Sequence, residues 1–141
     1  MRILLLNGPN LGRLGHRQPE IYGTITLREV VEQAKAHAQE RGATLIDFQS
    51  NHEGDLIDRL EDLDFDAVVI NPGALGQTSY ALRDAFEGIA KPTIEVHISD
   101  VHRREPFRHV LVLEDVVTGQ VIGRGTNGYL EAIDVLIDGA Q

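Results

Sequence analysis

Short apolar runs recur along this chain and alternate with amphipathic segments, and no other feature of the sequence constrains its fold as strongly. Each run is rich in Val, Ile and Leu and is continuous, without the polar alternation of a half-exposed strand. Continuous runs of this length are typical of strands that a parallel sheet buries on both faces. We therefore expect five strands, at residues 3–6, 43–48, 67–70, 93–96 and 110–113.

The segments between the runs carry helix signals. Thr26 and Glu29 have the spacing of a capping box at the start of an apolar stripe. Ser50 and Glu53 repeat that spacing and predict the start of a second helix. Ser79, with the threonine before it, can cap a third helix that continues to about residue 88.

One fold accounts for this alternation. With a closing helix over 129–137, the repeated order of strand and helix predicts a doubly wound α/β sandwich with a five-stranded parallel sheet. The size of the chain and the number of strands favour the flavodoxin-like strand order 2-1-3-4-5. The 141 residues contain no linker, internal repeat or low-complexity segment, so we expect residues 1–141 to form a single catalytic domain.

Composition excludes several classes of protein. The chain has no cysteine, which removes disulfides, thiolate catalysis and cysteine-bound metal. Its formal net charge of -9 disfavours a nucleic acid or an anionic membrane surface as partner. The N-terminal apolar run is too short for a signal peptide, and no run approaches the ~20 apolar residues of a membrane span. We therefore expect a cytoplasmic protein.

Polar loops follow three of the expected strands, at the sheet edge where doubly wound folds place their sites. These loops span residues 7–25, 71–77 and 97–108. The first is rich in glycine but matches neither phosphate-loop template, which disfavours a nucleotide. Asn7 and Asn71 stand where a phospho-receiver domain needs carboxylates for magnesium, and the histidines lack a metal-binding spacing. We therefore expect neither a metal nor an organic cofactor.

The same loops hold groups suited to acid–base chemistry on a small anion. They combine amides and arginines with two proton carriers, Tyr22 and His97. A tyrosine's ordinary pKa of about 10 leaves little phenolate at pH 7, so a tyrosine base needs a nearby cation, and Arg17 is close in sequence. Alternatively, the Tyr22 ring packs against the sheet edge and Arg17 is solvated. The candidate residues are Asn10, Arg17, Tyr22, Asn71, Gln77, His97, Ser99 and Arg108.

Spaced motifs run in order from the first strand to the last helix. They are Asn-Gly-Pro-Asn-Leu at 7–11, Leu-Gly-x-Arg-x-Pro-x-x-Tyr-Gly at 14–23, Gln-Ser-Asn-x-Glu-Gly at 49–54, Asn-Pro-Gly-Ala at 71–74, Glu-Val-His-Ile-Ser at 95–99 with Arg-Glu-Pro-Phe-Arg at 104–108, and Gly-x-Gly-x-x-Gly-Tyr at 123–129. Together they resemble type II 3-dehydroquinate dehydratase over essentially the whole chain. Several motifs in order are far more specific than any single one.

The resemblance implies a flavodoxin-like fold and the reversible dehydration of 3-dehydroquinate to 3-dehydroshikimate, by anti elimination through an enolate and without a cofactor. It implies that Tyr22 takes the C2 proton, with Arg17 stabilising the phenolate. It also implies that His97, oriented by Glu95, protonates the departing C1 hydroxyl, while Asn10 holds a water against the enolate oxygen. The residues implied to bind the hydroxyls and carboxylate of this small anionic substrate are Asn71, Gln77, Ile98, Ser99 and Arg108.

The resemblance further implies a homo-oligomer, a dodecamer of four trimers in which Asp84 reaches the site of a neighbouring subunit. Three positions depart from the family's usual pattern: Gln77 replaces His, Asp100 replaces Asn and Gln18 replaces Glu. These departures leave open a divergent member with an altered substrate or a non-catalytic role in binding a metabolite. A role in aromatic amino acid biosynthesis and a role in quinate breakdown both remain open, because both use the same step.

Overall fold

Parallel strand pairing organises the chain into one sheet. The computed structural model describes residues 1–140, and its five strands lie in the order β2-β1-β3-β4-β5 with every neighbouring pair parallel. The expected fold class and strand order are confirmed. The strands are β1 (Arg2–Asn7), β2 (Thr44–Gln49), β3 (Ala67–Asn71), β4 (Thr93–His97) and β5 (Gly119–Ile122).

Helices cover both faces of this sheet. They are α1 (Pro19–Tyr22), α2 (Leu27–Glu40), α3 (Glu53–Glu61), α4 (Leu75–Thr78), α5 (Tyr80–Ile89) and α6 (Asn127–Gly139). Short 3₁₀ turns lie at Leu11–Arg13, Val101–Arg103 and Pro106–Arg108. Within residues 1–140, no helix is both long and apolar enough to cross a membrane.

The continuous apolar runs form strands because both of their faces are buried. Ile3 and Leu5 of β1 pack on the side of α2 and α6, whereas Leu4 and Leu6 pack on the side of α3 and α5. All four side chains are fully buried. Successive residues of a strand point to opposite faces, so a strand between two helical layers favours apolar residues at successive positions.

The prediction of a fifth strand at 110–113 is wrong. The Leu113 side chain is fully buried, but the Val110 side chain is 70% exposed, and the Val112 N–H donates to the Gly76 carbonyl of α4 instead of to a strand. The run is therefore a partly buried turn. The fifth strand is β5, six residues further on, and its signal is weak because all four of its residues are only partly buried.

Two of the predicted helix caps are confirmed. The Thr26 hydroxyl accepts a hydrogen bond from the Glu29 N–H, and the Glu29 carboxylate accepts one from the Thr26 N–H, both at 3.2 Å. The Ser79 hydroxyl accepts from the Leu82 N–H at 2.9 Å and caps α5. Each bond satisfies a backbone donor that the first turn of a helix leaves free.

The capping box predicted from Ser50 and Glu53 does not form. Helix α3 begins at Glu53, so Ser50 lies too far ahead of it, and His52 takes the cap position without a side-chain bond. The Ser50 hydroxyl instead accepts from the His52 N–H and donates to Asp55, and the Glu53 carboxylate accepts from the Ser79 hydroxyl. This last contact joins the start of α3 to the start of α5.

An ionic cluster joins α2 to α6 on the other face of the sheet. The Asp134 carboxylate contacts His37 Nε2 at 2.7 Å and accepts from Arg41 at 2.9 Å, and Arg41 also donates to Asp138. Partial burial opposes ionisation of Asp134, but the hydrogen bonds from Arg41 and His37 outweigh it and hold the pKa of this carboxyl below its usual value.

We predict that Asp134→Asn lowers the free energy of unfolding at pH 7 by about 0.5–1 kcal/mol, because the side chain is 38% exposed and solvent screens the pairs. A carboxyl with a lowered pKa in the folded state stabilises above its ordinary pKa near 4, and that stability is lost as the pH falls through the lowered value. Urea unfolding of both proteins at pH 7 and at about pH 3 measures the difference.

The matched control is Glu32→Gln, which removes an exposed pair with Arg28 on α2 and is expected to change stability by less than about 0.5 kcal/mol. An Asp134→Asn protein as stable as the parent at pH 7, or equally destabilised at both pH values, would contradict the assigned role of the cluster.

Candidate active site

Polar side chains terminate three adjacent central strands at one edge of the sheet. Asn7 ends β1, Asn71 ends β3 and His97 ends β4, and the pairing register places Asn7 directly beside Asn71. All three are buried. In open α/β sheets, ligands bind in the crevice beyond the carboxyl ends of the strands, which is where these side chains lie.

A cavity at this edge brings together nearly all of the predicted site residues. The predicted residues that line it are Asn10, Arg17, Tyr22, Asn71, Gln77, His97, Ile98, Ser99 and Arg108. Glu95 lies behind His97. A more open groove of about 640 Å³ lies beside the C-terminal end of α5, but its ionic side chains Arg83 and Asp115 bind each other. The smaller cavity is the candidate site because it holds the proton carriers.

Asp84 is the exception among the predicted residues. It is exposed on α5 and lines a separate groove between α3 and α5, away from the cavity of its own chain. The action of Asp84 in the site of a neighbouring subunit stays a prediction.

A histidine–carboxylate pair forms the inner wall of the cavity. His97 Nε2 and Glu95 Oε2 are 2.7 Å apart, and the Glu95 side chain is fully buried in β4. The other carboxylate oxygen, Oε1, accepts a hydrogen bond of 2.8 Å from Gln120 of β5. Since Nε2 is engaged by Glu95, Nδ1 is the ring nitrogen left for a ligand.

The hydroxyl of Tyr22 accepts a hydrogen bond from Arg104, a residue to which the sequence alone gave no role. Arg104 Nη1 donates to Tyr22 Oη at 2.7 Å and to Ser99 Oγ at 3.2 Å, and the Arg104 side chain is only 16% exposed. The Arg17 guanidinium instead stacks over the Tyr22 ring, 4.7 Å from its centroid. Two cations therefore contact this tyrosine, and the closer one to its oxygen is Arg104.

The sequence carried a signal for Arg104, because it lies in the loop that follows His97 and opens the Arg-Glu-Pro-Phe-Arg motif. Arg17 is closer to Tyr22 in the sequence, so sequence distance alone favours Arg17 over Arg104 as the partner of Tyr22. The Tyr22 ring also packs against the core of the α2 and α6 face, so the alternative reading of a packed ring describes part of its environment.

Asn10 is held in an unusual backbone conformation. Its φ of 70° lies in the left-handed region, which asparagine tolerates better than most residues. The Asn10 N–H donates to Asn51 Oδ1 at 3.0 Å, and Gln49 Nε2 donates both to that same oxygen and to the Gly8 carbonyl. Two side chains from the end of β2 thus support the loop that carries Asn10.

A buried tyrosine fixes the two asparagines at the strand ends. Tyr129 of α6 is fully buried, donates to Asn7 Oδ1 at 2.6 Å and accepts from Asn71 Nδ2 at 2.8 Å. Burial raises the pKa of its hydroxyl well above the usual value, so Tyr129 remains a neutral phenol. Asn71 Oδ1 also accepts from the Gly73 N–H, which sets the orientation of the Asn71 amide.

The outer wall of the cavity carries further hydrogen-bonding groups. Gln77 Nε2 donates to the Arg108 carbonyl at 3.2 Å, and its Oε1 is buried without a hydrogen-bond partner among the described residues. A buried acceptor without a donor is costly unless a ligand or water supplies one. The Arg108 side chain donates to Glu105 at 2.9 Å.

The charges at this cavity are suited to an anion. Arg17, Arg104 and Arg108 all line it, although the whole chain carries a net charge of -9. Within residues 1–140, no three His, Asp or Glu side chains come together in an arrangement that could hold a metal ion. The cavity combines these arginine donors with the phenol of Tyr22 and the imidazole of His97.

The fold and the site define a doubly wound α/β domain with an acid–base site at the carboxyl ends of its strands. The sequence pattern of "Dehydroquinase class II" matches residues 1–137. This chain belongs to the class II dehydroquinase family.

Individual relatives are similar to this chain over almost its full length. A 3-dehydroquinate dehydratase of Anoxybacillus flavithermus is 51% identical over 140 residues, which cover 98% of this chain and 95% of that protein. A catabolic 3-dehydroquinase 1 of Neosartorya fischeri is 52% identical over 134 residues, covering 94% and 89%. The crystal structure of a type II dehydroquinase from Butyrivibrio crossotus superposes with a TM-score of 0.94 at 44% identity, covering 96% and 97%.

We predict opposite results for two matched amide-to-carboxylate changes beside Asn10. Asn51→Asp keeps the oxygen that accepts from the Asn10 N–H, so hydrogen exchange at the Asn10 amide stays within about twofold of the parent. Gln49→Glu replaces a donor by a carboxylate that faces two acceptors, so exchange at Asn10 becomes faster by about fivefold or more. NMR-detected hydrogen exchange measures both.

The control for the added charge is Gln39→Glu on the exposed side of α2, which is expected to leave exchange at Asn10 unchanged. Slower exchange in Gln49→Glu, or loss of protection in Asn51→Asp with Gln49→Glu unaffected, would show that the Asn51 and Gln49 amides have the opposite orientation.

Proposed function

We propose that this chain catalyses the reversible dehydration of 3-dehydroquinate to 3-dehydroshikimate by anti elimination through an enolate. The observation that carries the proposal is one cavity that holds both a tyrosine hydroxyl bound by an arginine and a histidine bound by a buried carboxylate. Membership of the class II dehydroquinase family supports the same reaction. The reaction needs a base at C2, an acid at the C1 hydroxyl and a stabiliser for the negative charge between these steps.

Tyr22 is the proposed base. Its oxygen accepts a charge-assisted hydrogen bond from Arg104 at 2.7 Å, and the Arg17 guanidinium lies over its ring. Positive charge in contact with the oxygen stabilises the negative charge that a tyrosine base carries. Removal of the C2 proton by this phenolate leaves the substrate as an enolate, with its negative charge on the C3 oxygen.

His97 is the proposed general acid. Glu95 binds its Nε2 and orients the ring, and a proton on Nδ1 can then pass to the C1 oxygen as the C–O bond breaks. The C1 hydroxyl then leaves as water, and the electron pair of the enolate forms the C1–C2 double bond. Two separate elements, α1 with Tyr22 and β4 with His97, carry the base and the acid, so the two can act on opposite faces of the substrate ring.

Other residues of the cavity are proposed to bind and orient the substrate. Asn10, held in its left-handed conformation, is the residue proposed to hold a water against the enolate oxygen. Arg108 is assigned to the substrate carboxylate, and the amide of Asn71 to a hydroxyl. The backbone of Ile98 and the hydroxyl of Ser99 complete the proposed set, in which Ser99 also accepts from Arg104.

The three departures from the family's pattern do not interrupt this mechanism. Gln77 keeps a buried free acceptor in the cavity, which a hydroxyl of the substrate can satisfy. Asp100 does not line the cavity; it lies 3.7 Å from both His102 and Arg103 and caps the 3₁₀ turn that contains them. Gln18 bonds to Arg17 at 3.4 Å. The family's reaction is therefore favoured over an altered substrate or a non-catalytic role.

We also propose an oligomeric assembly and a cellular location for this chain. We propose a dodecamer of four trimers in which Asp84, beside an apolar groove between α3 and α5, contributes to the site of a neighbouring subunit. The oligomeric mass in solution, measured by light scattering, tests this assembly. The proposed location is the cytoplasm, and the same step serves either aromatic amino acid biosynthesis or quinate breakdown.

We predict that Tyr22→Phe lowers kcat by at least about a thousandfold, because the variant has no group to take the C2 proton, while KM changes by less than about threefold. The ultraviolet absorbance of the conjugated enone product, followed with 3-dehydroquinate as substrate, measures both constants. The matched control is Tyr80→Phe, which removes the hydroxyl of an exposed tyrosine and is expected to leave kcat unchanged. Near-normal turnover by Tyr22→Phe would refute the assignment of the base.

A further inference from the structure

We propose that Gln120 of β5 is a positioning residue for the acid of this reaction: its amide holds the buried Glu95 carboxylate in the orientation that fixes His97. The inference rests on the proposed function, because it takes His97 as the general acid. It adds a third member, at the edge strand of the sheet, to the histidine–carboxylate pair.

The pairing of β4 with β5 places Gln120 directly beside Glu95. The parallel register aligns these two residues, and the next aligned pairs are Val96 with Val121 and His97 with Ile122. Side chains aligned in this way project from the same face of the sheet. Gln120 Nε2 therefore reaches Glu95 Oε1 at 2.8 Å, a good distance for a hydrogen bond to a carboxylate.

The environment of Glu95 makes this donor important. The side chain is fully buried, and its two oxygens divide their contacts: Oε2 with His97 and Oε1 with Gln120. A buried charged acceptor that loses its donor bears a larger cost than a neutral one. Without the amide, Oε1 has no donor, and a carboxylate that turns to find one weakens its contact with His97.

The chemical type of the residue also suits the role. A glutamine amide donates a hydrogen bond to Glu95 without adding a cation. A lysine or arginine at this position would pair with the carboxylate and reduce its attraction for a protonated imidazole. His97 is the only titratable side chain hydrogen-bonded to Glu95 within residues 1–140, so Glu95 can act on His97 alone.

Two variants of Gln120 test the proposal. Gln120→Met keeps the length of the side chain and removes the donor; kcat is expected to fall about tenfold or more at every pH, with KM within about twofold. In Gln120→Glu, the added carboxyl donates to Glu95 while it is protonated and repels Glu95 once it is ionised. Burial and the neighbouring negative charge both favour its protonated form.

The ratio of kcat in Gln120→Glu to kcat in the parent is therefore expected to approach one at about pH 5 and to fall by about tenfold or more by about pH 9. A purely structural role would not produce a rescue that depends on protonation. The control is Gln39→Met on the exposed side of α2, whose kcat is expected to match that of the parent. Thermal unfolding of each variant, with circular dichroism as the probe, reports whether it is folded.

A Gln120→Met enzyme with parental kcat would overturn the proposal, and so would a Gln120→Glu enzyme whose kcat stays in constant ratio to the parent from pH 5 to pH 9. If Gln120→Met fails to fold, the isosteric Gln120→Glu variant decides alone. Failure of the proposed function can be told apart from failure of the role of Gln120, because in the first case the unmodified chain would form no enone from 3-dehydroquinate. An active parent, inactivated by Tyr22→Phe and unaffected by Gln120→Met, would refute the role of Gln120 only.

Discussion

The site depends on a carboxylate buried in the middle of a sheet. Glu95 is fully buried in β4, where a charge is stable only if hydrogen bonds satisfy it. His97 contacts one of its oxygens and Gln120 the other, so the orientation of the imidazole and the register of β5 are linked through this group. Gly76 of α4 packs against the pair: a Cβ there would lie 3.1 Å from the His97 ring and 3.2 Å from Glu95.

Separation of charge within the chain reconciles its acidity with an anionic substrate. Residues 53–66 carry seven acidic side chains against one arginine, and all seven are exposed on and after α3. Arg17, Arg104 and Arg108, by contrast, line the cavity, and the Arg104 side chain is only 16% exposed. Net charge therefore disfavours a polymeric anion, while the local charge of the cavity suits a small one.

Features that depend on a local pattern of residues can be predicted from the sequence. Contacts between residues far apart in the chain cannot. Strands β1 and β3 are recognisable because both of their faces are buried and apolar, whereas β5 is a half-buried edge strand with only two large apolar residues, so its signal is weaker than that of the apolar turn at 110–113. The resemblance identified eight of the nine polar side chains that line the cavity. It assigned no role to Arg104, which contacts Tyr22 from 82 positions away, or to Tyr129, which reaches Asn71 from 58 positions away. No spacing rule links such pairs, because only the folded sheet edge brings them together.

In the proposed mechanism, Tyr22 and His97 act on opposite faces of one substrate ring. The most direct measurement is the fate of deuterium in 3-dehydroquinate that is labelled stereospecifically at C2, anti to the C1 hydroxyl. Nuclear magnetic resonance of the 3-dehydroshikimate formed by this chain should show that the label has been lost to solvent. Retention of the label in the product would mean that the proton leaves from the same face as the hydroxyl, and it would contradict the mechanism.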